Sequence, residues 1–148
     1  MRALPGSVLF ACDRNTIRSP MAEAILKHLV GHRIYADSAG VQPDGREVDG
    51  FAIATMQEIG LDISGHNPKS FDDLRDMSVD LIITFTPQAQ HRAMEFTRTL
   101  ACDVEYWPTM HPGDVPGSRE VRLEAYRSAR DQLFERIRDR FPSPERHA

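Results

Sequence analysis

Near its amino end the chain places Cys12 and Arg18 with five residues between them, in the stretch Cys12-Asp13-Arg14-Asn15-Thr16-Ile17-Arg18-Ser19-Pro20. Those residue types at that spacing suit attack on a tetrahedral oxyanion. A cysteine thiolate is a strong nucleophile, and a guanidinium returning across a short loop grips two oxygens at once. Ser19 offers a hydroxyl that can donate to the sulfur, and Asn15 is a residue type that tolerates a left-handed backbone. The segment reads as a phosphate-binding loop. Asp13, Arg14, Asn15, Thr16, Ile17 and Arg18 would surround the anion, while Cys12, Arg18 and Ser19 supply the chemistry. A cysteine and an arginine at this spacing form a weak pattern alone, and the competing reading is a buried structural cysteine followed by a solvated helix arginine. The elements around the pair make it specific.

Ser7 to Ala11 is a continuous apolar run, as in a strand buried on both faces of a parallel sheet, and it delivers Cys12 to its carboxyl end. Pro20 stands in a first helical turn, and Met21, Ile25 and Leu29 recur every four positions before Gly31, which predicts a helix from Ser19 to Val30. A strand running through a tight loop into a helix N-terminus aims several backbone N–H groups at one point, and that field together with Arg18 favours a thiolate. A second strand is expected from Arg33 to Ser38, a turn-prone loop from Ala39 to Glu47, and a second helix from Val48 to Ile59. Ala52, Met56 and Ile59 would share its buried face, with Gly60 as its stop. Val79 to Phe85 is the strongest strand, Thr86 and Pro87 open a helix reaching about Arg98, and Asp103 to Trp107 should be a fourth strand. A proline-rich loop from Pro108 to Gly117 precedes a last helix marked by Tyr126, Ala129, Leu133, Ile137 and Phe141. The alternation predicts one α/β domain over residues 1–148: a four-stranded parallel sheet flanked by helices on both faces. Its ligand would sit outside the carboxyl ends of the strands.

Continuing through Ser19-Pro20-Met21-Ala22-Glu23-Ala24, the sequence resembles the low-molecular-weight protein tyrosine phosphatase family, whose relatives include arsenate reductases. The resemblance runs on through Ser38-Ala39-Gly40, the stretch from Gly60 to His66, Asp80-Leu81-Ile82-Ile83 and the loop before the last helix, covering nearly the whole chain. It implies hydrolysis of phosphotyrosine in a protein, or of a small aryl phosphate, through a cysteinyl-phosphate on Cys12. Arg18 and the loop amides would hold the equatorial oxygens and Ser19 would support the thiolate. Water would then release inorganic phosphate, which can also return as an inhibitor. No cofactor and no metal is implied. The family's counterpart of the loop holding His66 and Lys69 approaches the active site, which gives those two a supporting role.

The departures bear on activity. Where family members usually carry Gly and often a second Cys within the loop, this chain has Arg14 and Ile17; Arg14 is expected to point to solvent, and no neighbouring thiol protects Cys12 from over-oxidation. The family's general acid is an Asp followed by Pro, and the matching position holds His111, with Asp114 as the alternative. Neither Val41-Gln42-Pro43-Asp44 nor His111-Pro112-Gly113-Asp114 supplies an aromatic wall for a substrate ring, and Trp107 reads as core. A protein-internal thiol relay for arsenate would need further cysteines between Thr86 and Phe96, where there are none. Three readings stay open: an aryl phosphatase, an arsenate reductase using an external thiol, and a catalytically impaired phosphate- or phosphoprotein-binding relative.

Composition narrows the partners. Net charge is -4, with 18 Lys and Arg against 22 Asp and Glu, and the arginines of the last thirty residues alternate with acids, so no nucleic-acid partner is expected. The Met1 to Phe10 segment is too short for a signal peptide core or a membrane span, so a cytoplasmic protein without a membrane partner is expected. Two cysteines, Cys12 and Cys102, form neither a disulfide framework nor a zinc site, and Cys102 reads as a boundary thiol. His28, His32 and His91 lack metal-ligand spacing.

Overall fold

Among the described residues, strands and helices alternate as β1 (Ser7–Cys12), α1 (Arg18–Val30), β2 (Tyr35–Gly40), α2 (Gly50–Gln57), β3 (Leu81–Thr84), α3 (Pro87–Phe96), β4 (Asp103–Tyr106) and α4 (Arg119–Arg140). The computed structural model describes residues 4–74 and 78–142. Met1 to Ala3, part of the segment read above for a signal peptide, lie outside the described residues, as do 75–77 and 143–148. The four strands pair in parallel in the order β2-β1-β3-β4. Register sets Cys12 opposite Gly40, Ala11 opposite Thr84 and Thr84 opposite Tyr106, so all four strands end on one rim.

β1 is the sheet's centre, and its residues divide strictly by face. Val8, Phe10 and Cys12 join a core with Met21, Ile25 and Leu26 of α1, Ala52 and Met56 of α2, and Tyr126, Leu133 and Ile137 of α4. Leu9 and Ala11 join the opposite core with Ala89 and Ala93 of α3 and Phe71. Burial from both sides is why the strand reads as an unbroken apolar run rather than an alternation. Asp49, Thr86 and Ser118 cap α2, α3 and α4 by accepting from the N–H groups of Ala52, Ala89 and Val121; such caps stabilise a helix by about 1 kcal/mol each. α1 differs in having no side-chain cap. Pro20 lacks an N–H, which leaves the amides of Arg18 and Ser19 as the first-turn donors beside the loop.

Element bounds depart from the sequence reading in two informative places. β2 begins at Tyr35 and runs to Gly40, because Gly31–Arg33 makes a turn of 3-10 helix and the strand end is held by the Gly40 N–H donating to Lys69 O at 2.8 Å. Ala39 and Gly40 are therefore strand, not loop. α2 stops at Gln57, and Ile59, expected on its buried face, is 37% exposed. Gly60 takes φ 78° and the Leu61 N–H folds back to Met56 O at 3.1 Å, so Leu61 supplies the apolar contact in place of Ile59.

Candidate active site

The β1 strand sets the Cys12 side chain into the core shared with α1, 3% exposed, and the chain then turns back on itself through Asn15, whose φ is 61°. The Asn15 side-chain amide is fully used. Its Nδ2 donates to Ser19 Oγ at 2.8 Å and Ser38 Oγ at 3.0 Å, and its Oδ1 accepts from the Lys69 backbone N–H at 3.0 Å and faces His66 Nε2 at 3.0 Å. His66 Nε2 also lies 3.1 Å from the Asn15 carbonyl; with two acceptors facing it, this nitrogen carries the ring hydrogen. Ser38 Oγ in turn donates to Glu23 Oε1 at 2.6 Å. Because Ser19 Oγ accepts from Asn15, its own hydrogen is left for Cys12 Sγ, 2.9 Å away, and the Asn15 backbone N–H points at the same sulfur from 3.3 Å. Two donors thus converge on Cys12. Burial holds the His66 imidazole below its ordinary pKa, against the pull of Glu23.

Arg18 opens α1 at 5% exposure, and its Nη1 donates to Thr109 O at 2.8 Å, which ties the loop after β4 to the phosphate loop. Between them is a hollow of about 470 Å³ lined by Asp13, Arg18, Tyr106, Met110, His111 and Asp114, among others. Here the candidate acids separate. His111 Nδ1 accepts the Gly113 N–H at 3.0 Å, capping the short turn Pro112–Asp114. Burial and then the Arg18 charge hold its pKa below the ordinary histidine value, with Asp114, Asp13 and Asp49 pulling the other way. With Nδ1 accepting, the His111 ring hydrogen sits on Nε2. Asp114 lines the same hollow.

The remaining loop residues divide by what they present. Asp13 turns its carboxylate to Thr86 Oγ1, which donates to it at 2.6 Å from the cap of α3. Arg14 leans outward to Asp44 at 3.5 Å, both about two-fifths exposed, as expected of a residue pointing to solvent. Thr16 and Ile17 are buried, Ile17 within the core, and the Thr16 carbonyl accepts the Asp49 N–H at 3.0 Å. Asp49 also lies beside Tyr126, where burial first and then the Asp49 charge raise the tyrosine's pKa, so α2 and α4 meet next to the loop.

Several residues of this site carry no role in the sequence reading. Ser38 and Glu23 lie within quoted motifs, yet their link to Asn15 depends on strand pairing. Tyr106, 41% exposed, lines the hollow with Met110, so an aromatic side chain is present at its edge after all. It comes from the end of β4, outside the two loops that lack an aromatic residue. Trp107 is core, its ring tilted on Phe85 with centroids 6.5 Å apart. Cys102 is partly buried, and burial followed by Asp103 pushes its thiol pKa up.

Residues 7–143 match the low molecular weight phosphotyrosine protein phosphatase family. The chain belongs to that family. Among curated proteins, this phosphatase-family chain is 30% identical over 130 residues to a glutaredoxin arsenate reductase of Synechocystis sp., covering 88% of this chain and 92% of the other. Among solved structures, it superposes on a low molecular weight protein tyrosine phosphatase from T. tengcongensis with a TM-score of 0.71 and 29% identity over 88% of this chain and 94% of that one. An arsenate reductase in the phosphate binding state gives a TM-score of 0.69 and 28% identity over 90% and 94%. The family and its four-stranded fold are thereby fixed, with phosphatases and arsenate reductases both among the neighbours of this family member. Among the described residues no helix is long and apolar enough to cross a membrane.

Proposed function

We propose that this protein hydrolyses phosphomonoesters of aryl alcohols, phosphotyrosine in a protein being the natural form, through a phosphocysteine on Cys12. The observation that carries this reading is the buried Cys12 Sγ with donors from Ser19 and the Asn15 backbone N–H, at the head of a loop that ends in the buried Arg18. The Cys12 thiolate attacks phosphorus while the bond to the leaving oxygen breaks. Arg18 and the loop amides, with the first-turn amides of α1, meet the charge on the three equatorial oxygens. The loop after β4 protonates the leaving oxygen. We assign the donation to Asp114, because His111 spends its Nδ1 lone pair on the Gly113 N–H and so braces the loop, while Asp114 lines the same hollow. Water then attacks the phosphocysteine, breaking the S–P bond, and inorganic phosphate leaves the restored thiolate.

A second reading, arsenate reduction, is favoured by the relatives that bear that name. The geometry limits its form. Register puts Cys102 at the amino end of β4, level with the start of β1, whereas Cys12 is at the carboxyl end. Five strand residues make that offset about 16 Å before any lateral spacing is added, and a disulfide needs Cα atoms within about 7 Å. The resolving thiol would have to come from outside. The test is turnover of p-nitrophenyl phosphate by the wild type and by Cys12→Ser, in parallel with arsenate plus a small thiol or a glutaredoxin. Release of nitrophenol by the wild type and none by Cys12→Ser is the expected result. Arsenate turnover without nitrophenol would replace this reading by the second. Phosphate binding with neither activity would make the protein a binding relative.

A further inference from the structure

Arg119 and Arg122 occupy the first turn of α4, three residues apart. Two cations so placed repel each other and oppose the positive end of the helix dipole, so local energetics disfavour both. Neither has a carboxylate partner among the described residues, whereas Arg92, Arg127, Arg130 and Arg140 each hold one. Glu120, between them in sequence, faces Arg127 at 3.8 Å instead. What does hold the pair is Phe51: the guanidinium carbons of Arg119 and Arg122 are 5.3 and 4.5 Å from its ring centroid, and the ring rests on Tyr126. Stacking uses the flat face of a guanidinium and leaves its N–H edge free for a carboxylate.

The patch adjoins the phosphate loop. Phe51 is two residues beyond Asp49, whose N–H is bonded to the Thr16 carbonyl at 3.0 Å and whose carboxylate accepts the Ala52 N–H at 3.1 Å. On the other face of the sheet the same loop is bordered by a smaller hollow of about 200 Å³, where Asp13 and Asp44 outnumber Arg14. Arg119 and Arg122 thus add positive charge on the α2 and α4 side, where Asp49 and Asp114 also lie, while the α3 side carries Asp13 and Asp44, in a chain of net charge -4.

Resting on the phosphatase reading above, we infer that Arg119, Arg122 and Phe51 select substrates, by engaging acidic side chains that flank the phosphorylated residue of a peptide. The occupant is a carboxylate of the substrate peptide, because two guanidinium groups over one ring, with no ion-pair partner among the described residues, present donors in the geometry carboxylates take. The test compares two phosphotyrosyl peptides, one flanked by Glu and the other by isosteric Gln, binding to the Cys12→Ser chain. At low salt the Glu peptide should bind roughly threefold to tenfold more tightly, as exposed ion pairs allow, with the difference shrinking at high salt. Arg119→Gln with Arg122→Gln should erase the preference, while Arg33→Gln, at the far end of the sheet, should keep it. Equal affinities, or a preference that survives the double substitution, would overturn the inference. If either outcome comes with nitrophenol release by the wild type, this inference alone fails. If neither peptide binds and no nitrophenol is released, the phosphatase reading fails and takes this one with it.

Discussion

Asn15 shows how much a single residue can carry in this loop. Its left-handed φ turns the chain, its backbone N–H points at Cys12 Sγ, and its amide orients Ser19, Ser38, His66 and Lys69. Asparagine accepts that φ at little strain, and only an amide offers donors and acceptors together. The opposite lesson comes from the acid. Alignment points first to His111, with Asp114 as the alternative; His111 accepts the Gly113 N–H and so holds its loop, and both residues line the same hollow. Asp114→Asn should slow hydrolysis of phenyl phosphate by about 10²-fold or more while affecting p-nitrophenyl phosphate far less, since a good leaving group needs no proton. His111→Gln should slow both substrates alike through a displaced loop. The reverse pattern in steady-state kinetics, leaving-group dependence in the histidine variant only, would return the acid role to His111. Cys12, Arg18, Ser19 and Asn15 were legible as a group in the sequence because they sit close together in it. Glu23, Ser38, Thr86, Tyr106 and Thr109 were not, because each reaches the loop only through strand pairing or a crossing element.

At the scale of elements, the phosphate loop is shaped by its neighbour β2 as much as by its own residues. A Cβ built on Gly40 would lie 2.8 Å from the Arg14 carbonyl carbon and 2.9 Å from both the Asn15 nitrogen and the Asp13 oxygen. Backbone on all sides cannot yield, so glycine is required by close approach rather than by φ. Gly40→Ala is expected to leave a folded chain by circular dichroism and to reduce p-nitrophenyl phosphate turnover at least tenfold, about 1.4 kcal/mol in transition-state stabilisation. Unimpaired turnover would mean the loop is more pliable than this packing implies. The misplaced end of α2 has a related cause. Periodicity alone assigns Ile59 to the buried face, but a glycine at φ 78° reverses the chain and brings Leu61 home instead. Helical spacing describes positions inside a helix and says little once the helix has turned back.

For the whole molecule, two partly buried imidazoles make stability depend on pH. Burial is the leading cause that lowers both His66 and His111 below 6.5. The unfolded chain then binds more protons than the folded one in the window below 6.5, so their contribution is present above that pH and is lost as pH falls through the folded values. Urea midpoints in phosphate-free buffers at pH 7.5, 6.5 and 5.5 should fall in that order, and the decline should flatten in a His66→Asn, His111→Asn double variant. An equal decline in that variant would assign the pH dependence to other groups. What the sequence determined by itself was the order of strands and helices, the gathering of Cys12, Asn15 and Arg18 in one loop, and the family, because short-range spacing and burial pattern are written directly in the chain. Tertiary structure alone decided that Cys102 lies at the far end of the sheet from Cys12, that His111 braces its loop, and that Arg119 and Arg122 gather over Phe51. Those facts depend on strand register and on which helix ends meet, and distances between residues remote in sequence are set only when the whole sheet is packed.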